Sequence, residues 1–336
     1  MSEVNMKEAM FYKKLNNGSV QCRLCPQMCE IEDGKRGMCF GRKNEKGILY
    51  AENYGETISV AIDPIEKKPL YHFYPGKEIL SIGPNGCNLT CDFCQNYTIS
   101  QQKAPTSALS MGDLITLCKK YNSIGVAYTY TEPLIWYEYI LDTAKILRAH
   151  DLKVVLVTNG FINPEPLKQL LPYVDAMNVD LKAFNNDFYI TYCSGRLEPV
   201  KNTIKIAAKH THVEVTNLII TDLNDSRKEI EELVAFIADV NKDIPLHFSR
   251  YFPVYKMKKP LTKVEILEMA YEIGKKKLSY VYVGNINLPN THDTHCPNCN
   301  ELLIKRSGFY TSISHITEHN SCEKCGHKIK GVHLFE

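Results

Sequence analysis

The sequence predicts an α/β protein: a partial (β/α)6 barrel of the TIM type, with a cysteine-rich segment ahead of it and a zinc ribbon behind. Three observations lead there. From about residue 78, short runs rich in Val, Ile and Tyr alternate with helical stretches, the pattern of βα units around a parallel sheet. The 13 cysteines fall almost wholly into three tight groups. The chain has 336 residues with 44% hydrophobic content, enough to bury one large core with smaller attachments.

Taken in order, residues 1–75 carry Cys22, Cys25, Cys29 and Cys39, a C-x2-C-x3-C-x9-C series. Four thiolates at such spacings close a zinc site or hold an auxiliary iron–sulfur cluster, and spacing alone does not choose. The barrel is assigned to 76–290. Its strands are expected at 79–82, 125–129, 152–157, 176–181, 213–220, 246–251 and 278–283, and its helices at 112–120, 134–148, 165–171 and 229–239. Functional residues of such a barrel lie at the C-terminal ends of its strands. Residues 291–336 hold two C-x2-C knuckles, Cys296 with Cys299 and Cys322 with Cys325. Their four thiolates suit tetrahedral zinc, and a tail this short is expected to draw its folding energy chiefly from the metal. That leaves His292, His295, His315, His319 and His327 as surface residues, while Cys118 and Cys193 stand apart from every group.

Composition narrows the function. Lys and Arg total 40 against 38 Asp and Glu, so no basic footprint marks a nucleic-acid or anionic membrane surface. The basic runs at 256–259 and 275–277 are read as solvated faces. No apolar run approaches the roughly 18 residues of a membrane span, and the first ten residues show no secretory h-region. The expected compartment is the cytoplasm, where clustered cysteines bind metals and do not form disulfides.

The strongest signal is Gly86-Cys87-Asn88-Leu89-Thr90-Cys91-Asp92-Phe93-Cys94, a C-x3-C-x2-C motif directly after the first barrel strand. Three thiolates on a short loop hold three irons of a cubane and leave the fourth open to a substrate or co-substrate. Structural zinc needs four protein ligands, and the nearest histidine, His72, precedes the whole strand. With an aromatic residue before its last cysteine, the motif resembles that of the radical S-adenosylmethionine (SAM) superfamily. The similarity extends to Cys22-Arg23-Leu24-Cys25-Pro26, Gly34-Lys35-Arg36-Gly37, the run from Asp63 to Phe73, Cys94-Gln95-Asn96 and the closing cysteine pairs. Together these resemble the radical enzyme of the AmmeMemoRadiSam system, a relative of the pyruvate formate-lyase activating enzymes.

The resemblance implies a [4Fe-4S] cluster on Cys87, Cys91 and Cys94 whose free iron chelates the methionine part of SAM. Reductive cleavage then gives methionine and a 5′-deoxyadenosyl radical. The electron donor would be a flavodoxin or ferredoxin of low potential, and the implied partners are Memo-like and AmmeCR-like proteins. It also implies cofactor contacts. Glu132 would meet the methionine amine, or else be a helix-start carboxylate. Thr158, Asn159 and Gly160 would touch the ribose, or else form an ordinary turn; the activating enzymes carry an aspartate where Val157 stands. Asp180 and Lys182 would meet the methionine carboxylate, or else form a salt bridge. Thr216, Asn217 and Arg250 are weaker candidates. Cys193, in Tyr192-Cys193-Ser194-Gly195, is either a hydrogen-atom donor at the barrel mouth or a small buried residue.

Three functions compete on these grounds: a radical SAM enzyme on an unidentified substrate, a glycyl-radical activase of the pyruvate formate-lyase type, and a non-catalytic iron–sulfur or zinc-ribbon binding protein. The last fits poorly, because an electron carrier needs four cluster ligands and a nucleic-acid binder a basic stripe.

Overall fold

In the computed structural model, which describes residues 7–335, the centre is an eight-stranded sheet. Its strands are β1 (Ser59–Pro64), β2 (Glu78–Gly83), β3 (Gly125–Tyr128), β4 (Lys153–Thr158), β5 (Ala176–Asp180), β6 (His212–Ile219), β7 (Leu246–Arg250) and β8 (Val281–Gly284), side by side in chain order. β1 runs antiparallel to β2; from β2 to β8 every pairing is parallel. Helices α1 (Met111–Lys120), α2 (Tyr137–Ala149), α3 (Pro164–Leu170), α4 (Leu197–Ala207), α5 (Arg227–Asn241) and α6 (Val264–Lys275) join successive parallel strands. The result is six βα units and one further parallel strand. Two helix starts are fixed by their caps: Ser110 and Asp113 form a reciprocal capping box on α1, and Ser226 accepts from the Glu229 amide at α5.

α4 and α6 have no counterpart among the helices the sequence predicts. Leu197, Val200, Ile204 and Ala207 are nevertheless buried at helical spacing. Pro199 hides the helix from a simple reading, although proline is tolerated in a first turn.

The boundary expected at 75/76 does not divide the fold. β1 pairs with β2 along its whole length, and residues 65–73 fill the hollow face of the sheet. Ile65, Leu70 and Phe73 pack with Ile79 of β2, Ala127 of β3, Val155 of β4 and Ala176 of β5. Asn178 of β5 donates to the Pro69 carbonyl at 2.8 Å. Glu214 of β6 accepts from the Tyr71 and His72 amides at 3.0 and 2.7 Å. The rings of His247 on β7 and Tyr71 lie edge to face at 4.8 Å, and Tyr282 of β8 bonds the His72 ring at 2.7 Å. All seven parallel strands thus touch one plug, which requires the sheet to curl around it.

The tail also departs from expectation. Its antiparallel strands Thr294–His295, Leu302–Ser307 and Tyr310–Ile313 bring Leu303, Ile304, Ile316, Ile329 and Leu334 into one apolar cluster with Tyr280 and Tyr282. Hydrophobic contact with the end of the barrel therefore adds to whatever a metal contributes. At the other end, Ala9, Val20, Leu24, Ile31 and Leu49 of the N-terminal segment join the main core. That segment lies over the loops that follow β2 to β5, through Arg42 to the Ile135 carbonyl, Asn163 N–H to the Leu24 carbonyl, and Gln27 to the Asn88 and Ser194 carbonyls. Among the described residues no helix is long and apolar enough to cross a membrane.

Candidate metal and cofactor site

The loop after β2 carries Cys87, Cys91 and Cys94 at the C-terminal end of the strand, where βα barrels concentrate function. Gly86 opens it with φ +106°, and a Cβ there would lie 2.1 Å from the Cys39 carbonyl oxygen. The loop is then tied to the turn ending at Cys193. The Thr90 amide donates to the Cys193 carbonyl at 3.0 Å and the Asp92 amide to that of Tyr192 at 2.9 Å. Residues Tyr189–Cys193 form one π-helical turn, a geometry frequent at functional sites.

Two of the three thiols have a neighbouring polar partner. Asn159 Nδ2 points at Cys87 Sγ from 3.6 Å, and Ser100 Oγ lies 3.1 Å from Cys94 Sγ. Burial pushes the Cys87 and Cys94 thiols above their usual range. Burial, and then the neighbouring Cys91 thiol, also raises Cys193. Cys193 is fully buried: the structure places it behind a ligand candidate, not in an open mouth.

Glu132 follows β3 and ties it to β4. Its Oε1 accepts from the Leu134 amide at 2.9 Å and the Thr158 hydroxyl at 2.7 Å, and its Oε2 from the Asn159 amide at 2.8 Å. Burial raises its pKa to about 7 against these bonds. Asn159 also bonds Asn88 Oδ1 at 2.9 Å, and Gly160 turns with φ +68° where a Cβ would strike Val179 at 2.8 Å. Thr158, Asn159, Glu132 and Cys87 therefore form one connected cluster.

After β5, Lys182 Nζ reaches Asp180 at 3.0 Å, and Lys182 is largely buried while Asp180 is partly exposed. Burial works against the lysine's charge, but Asp180 and the thiols of Cys91 and Cys193 outweigh it and hold its pKa high. Lys182 Nζ also lies 6.0 Å from the centre of the Phe93 ring and so faces the cysteine loop. Thr216 and Asn217 do not act together, because successive strand residues point to opposite faces. Thr216 bonds Asn178 at 3.0 Å, while Asn217 donates to the Leu181 carbonyl at 2.8 Å and so supports the Lys182 loop. Arg250, at the end of β7, donates to the Thr262 carbonyl at 2.9 Å.

Sequence reasoning missed Asn88, which lies inside the motif itself. It is buried, donates to the Phe161 carbonyl at 2.8 Å and accepts from Asn159. Its position between two candidate ligands was the available signal. Arg42 and Glu138 were also missed: they form a buried ion pair at 2.7 Å near the N-terminal cysteines.

The tail cysteines come together as the spacing predicts. The sulfurs of Cys296, Cys299, Cys322 and Cys325 all lie within 4.8 Å of one another and could hold a metal ion. Cys22, Cys25, Cys29 and Cys39 line one cavity beneath the loops after β2 and β3.

A curled parallel sheet that presents three thiols on the loop after its first parallel strand, with a lysine facing them, defines a class of cofactor-dependent barrel enzyme. The chain carries a radical SAM superfamily domain, whose profile matches residues 81–237. It is 45% identical over 332 residues to an uncharacterized protein of Methanocaldococcus jannaschii, covering 96% of this chain and 99% of the relative. A second uncharacterized protein of that organism is 28% identical over 218 residues, 59% of this chain and 62% of the relative. Among solved structures, a radical SAM methyltransferase from Sphaerobacter thermophilus superposes with a TM-score of 0.51 at 13% identity, covering 83% of this chain and 76% of that one. That domain supports an enzyme of the radical SAM type and implies a [4Fe-4S] cluster and SAM. The three thiols after β2 fit a cluster that leaves one iron without a protein ligand.

Proposed function

We propose that this enzyme binds a [4Fe-4S] cluster through Cys87, Cys91 and Cys94, cleaves SAM reductively and modifies a substrate of its own with the radical released. The observation that supports this most is the set of three thiols on one loop, with Asn159 beside Cys87 and Ser100 beside Cys94. When bound, the cluster supplies the electron that breaks the sulfonium–carbon bond.

The chain's residues bind and orient. Lys182 offers the cation for the methionine carboxylate, with Asp180 beside it. A carboxylate has about four acceptor positions, so Glu132, with three in use, keeps one for the methionine amine. Its other task is to hold Thr158 and Asn159 in place. Gly160 lets the turn pass close to β5 toward the ribose. Thr216 supports from the barrel interior, Asn217 and Arg250 from behind loops. Cys193 is the small buried residue of its two sequence readings.

The tail cysteines are proposed to hold zinc: two of their sulfur pairs stand 3.6 and 3.7 Å apart, near the roughly 3.8 Å edge of a tetrahedron with 2.3 Å Zn–S bonds. The electron donor is proposed to be a flavodoxin or ferredoxin, and the working partners Memo-like and AmmeCR-like proteins, in the cytoplasm. The support for the partners is the set of sequence motifs outside the cysteine loop.

The test is formation of 5′-deoxyadenosine from SAM by the reconstituted, dithionite-reduced protein. Added Memo-like and AmmeCR-like proteins should change which metabolite or macromolecule is modified. No change on adding them would remove that part of the proposal.

A further inference from the structure

The cavity lined by Cys22, Cys25, Cys29 and Cys39 differs in kind from the tail site, though both offer four cysteines. One zinc ion with 2.3 Å bonds cannot hold two sulfurs more than about 4.6 Å apart. The tail meets that limit, or nearly so, in all its pairs, and among the described residues it is where three or more cysteine sulfurs converge within 4.8 Å. The N-terminal four surround one cavity without converging in this way. Cys87, Cys91 and Cys94 share that open arrangement, as thiols that ligate separate irons of a cluster would.

Two polar side chains also line the same cavity. Arg42 is almost fully buried, its guanidinium paired on one side with Glu138, and its Nε finds no acceptor. A buried donor left unpaired costs about 1–3 kcal/mol, and a sulfur-rich anion in the cavity would satisfy it. Asn88 forms the wall on the other side. It adjoins Cys87 in sequence and bonds Asn159, which itself points at Cys87, and Cys39 lies with its carbonyl against Gly86. Asn88 thus adjoins both thiol sets.

We propose that Cys22, Cys25, Cys29 and Cys39 hold a second [4Fe-4S] cluster, and that it serves electron transfer to the first. Four thiolates leave it no open iron, so it conducts electrons and does not bind substrate. One electron leaves the reduced flavodoxin- or ferredoxin-type donor, reduces the second cluster, and passes to the first, returning the second to its oxidised state. The electron-transfer role rests on the assignment of Cys87, Cys91 and Cys94 above; the presence of the second cluster does not.

The full chain is loaded anaerobically with ferrous iron, sulfide and zinc together, and its iron, labile sulfide and zinc are counted. Wild type should hold roughly eight irons and about one zinc, and the Cys87→Ala/Cys91→Ala/Cys94→Ala protein roughly four irons. That variant should also show a cubane electron paramagnetic resonance signal after dithionite. Cys22→Ser/Cys39→Ser should lose about half of the iron and keep the zinc. A triple-alanine protein that carries about two zincs and no cubane signal overturns the proposal, as does full iron retention by Cys22→Ser/Cys39→Ser, which would move the second cluster to the tail. If the central assignment alone were wrong, the triple-alanine protein would keep as much iron as wild type while the Cys22/Cys39 variant still lost its share. For the electron path, 5′-deoxyadenosine formation by Cys22→Ser/Cys39→Ser should fall by a larger factor with flavodoxin than with dithionite. Equal factors contradict it.

Discussion

At the scale of single residues, the site is held by side chains that touch the candidate ligands and not by the ligands alone. Asn159 joins Cys87, Asn88 and the backbone that Glu132 grips. Hydrogen bonds to cluster sulfurs help set the reduction potential. Asn159→Ala should therefore keep its iron yet show a more negative midpoint in a redox titration followed by electron paramagnetic resonance; an unchanged midpoint would remove Asn159 from this role. The cysteines and the Asp180–Lys182 pair were legible in the sequence because their chemistry resides in residue type and short spacing. The bond of Asn159 to Cys87 spans 72 positions, and no local pattern encodes it.

At the scale of elements, the plug at 65–73 converts a parallel sheet into a curled one. Its anchor is Glu214, which accepts from the Tyr71 and His72 amides and from the rings of His212 and His247 at 3.0 and 2.6 Å. Burial alone would raise its pKa, but the bonds from His212 and His247 outweigh it and hold the carboxyl well below the ordinary 4.5. A lowered carboxyl pKa stabilises the fold above the unfolded-state value, and that contribution is lost as pH falls through about 4.5 and below. Glu214→Gln leaves buried donors unmatched and should cost on the order of 2–4 kcal/mol at pH 7. It should also flatten the acid limb of a stability–pH profile measured by denaturant unfolding; an acid limb as steep as that of wild type would contradict this account. A second element-level test is Gly86→Ala. A positive φ costs a residue with a Cβ about 1–3 kcal/mol, and the contact with the Cys39 carbonyl adds to it. The loops of both thiol sets should loosen together, and iron content should fall at both. The strands of the barrel could be read from their apolar runs, but the plug could not: residues 65–73 have neither a helical nor a strand period, and their partners lie far along the chain.

At the scale of the whole molecule, the three cysteine regions are parts of one body. The N-terminal segment shares the main core. The tail is fastened by Arg306, which donates to the Tyr71 carbonyl at 2.7 Å and stacks 4.2 Å over the Tyr71 ring. Replacing Cys322 and Cys325 together with serine should release about one equivalent of zinc. Because the tail rests on Tyr280, Tyr282 and the plug, the loss should also lower the unfolding midpoint of the barrel, not just fray the tail; an unchanged barrel midpoint would show that the two are uncoupled. The most direct test of the central claim is the yield of 5′-deoxyadenosine from SAM in dithionite-reduced wild type and Cys91→Ala. Formation by wild type and none by Cys91→Ala, with tail zinc retained in both, is the predicted result, whereas wild-type yield from Cys91→Ala would contradict it.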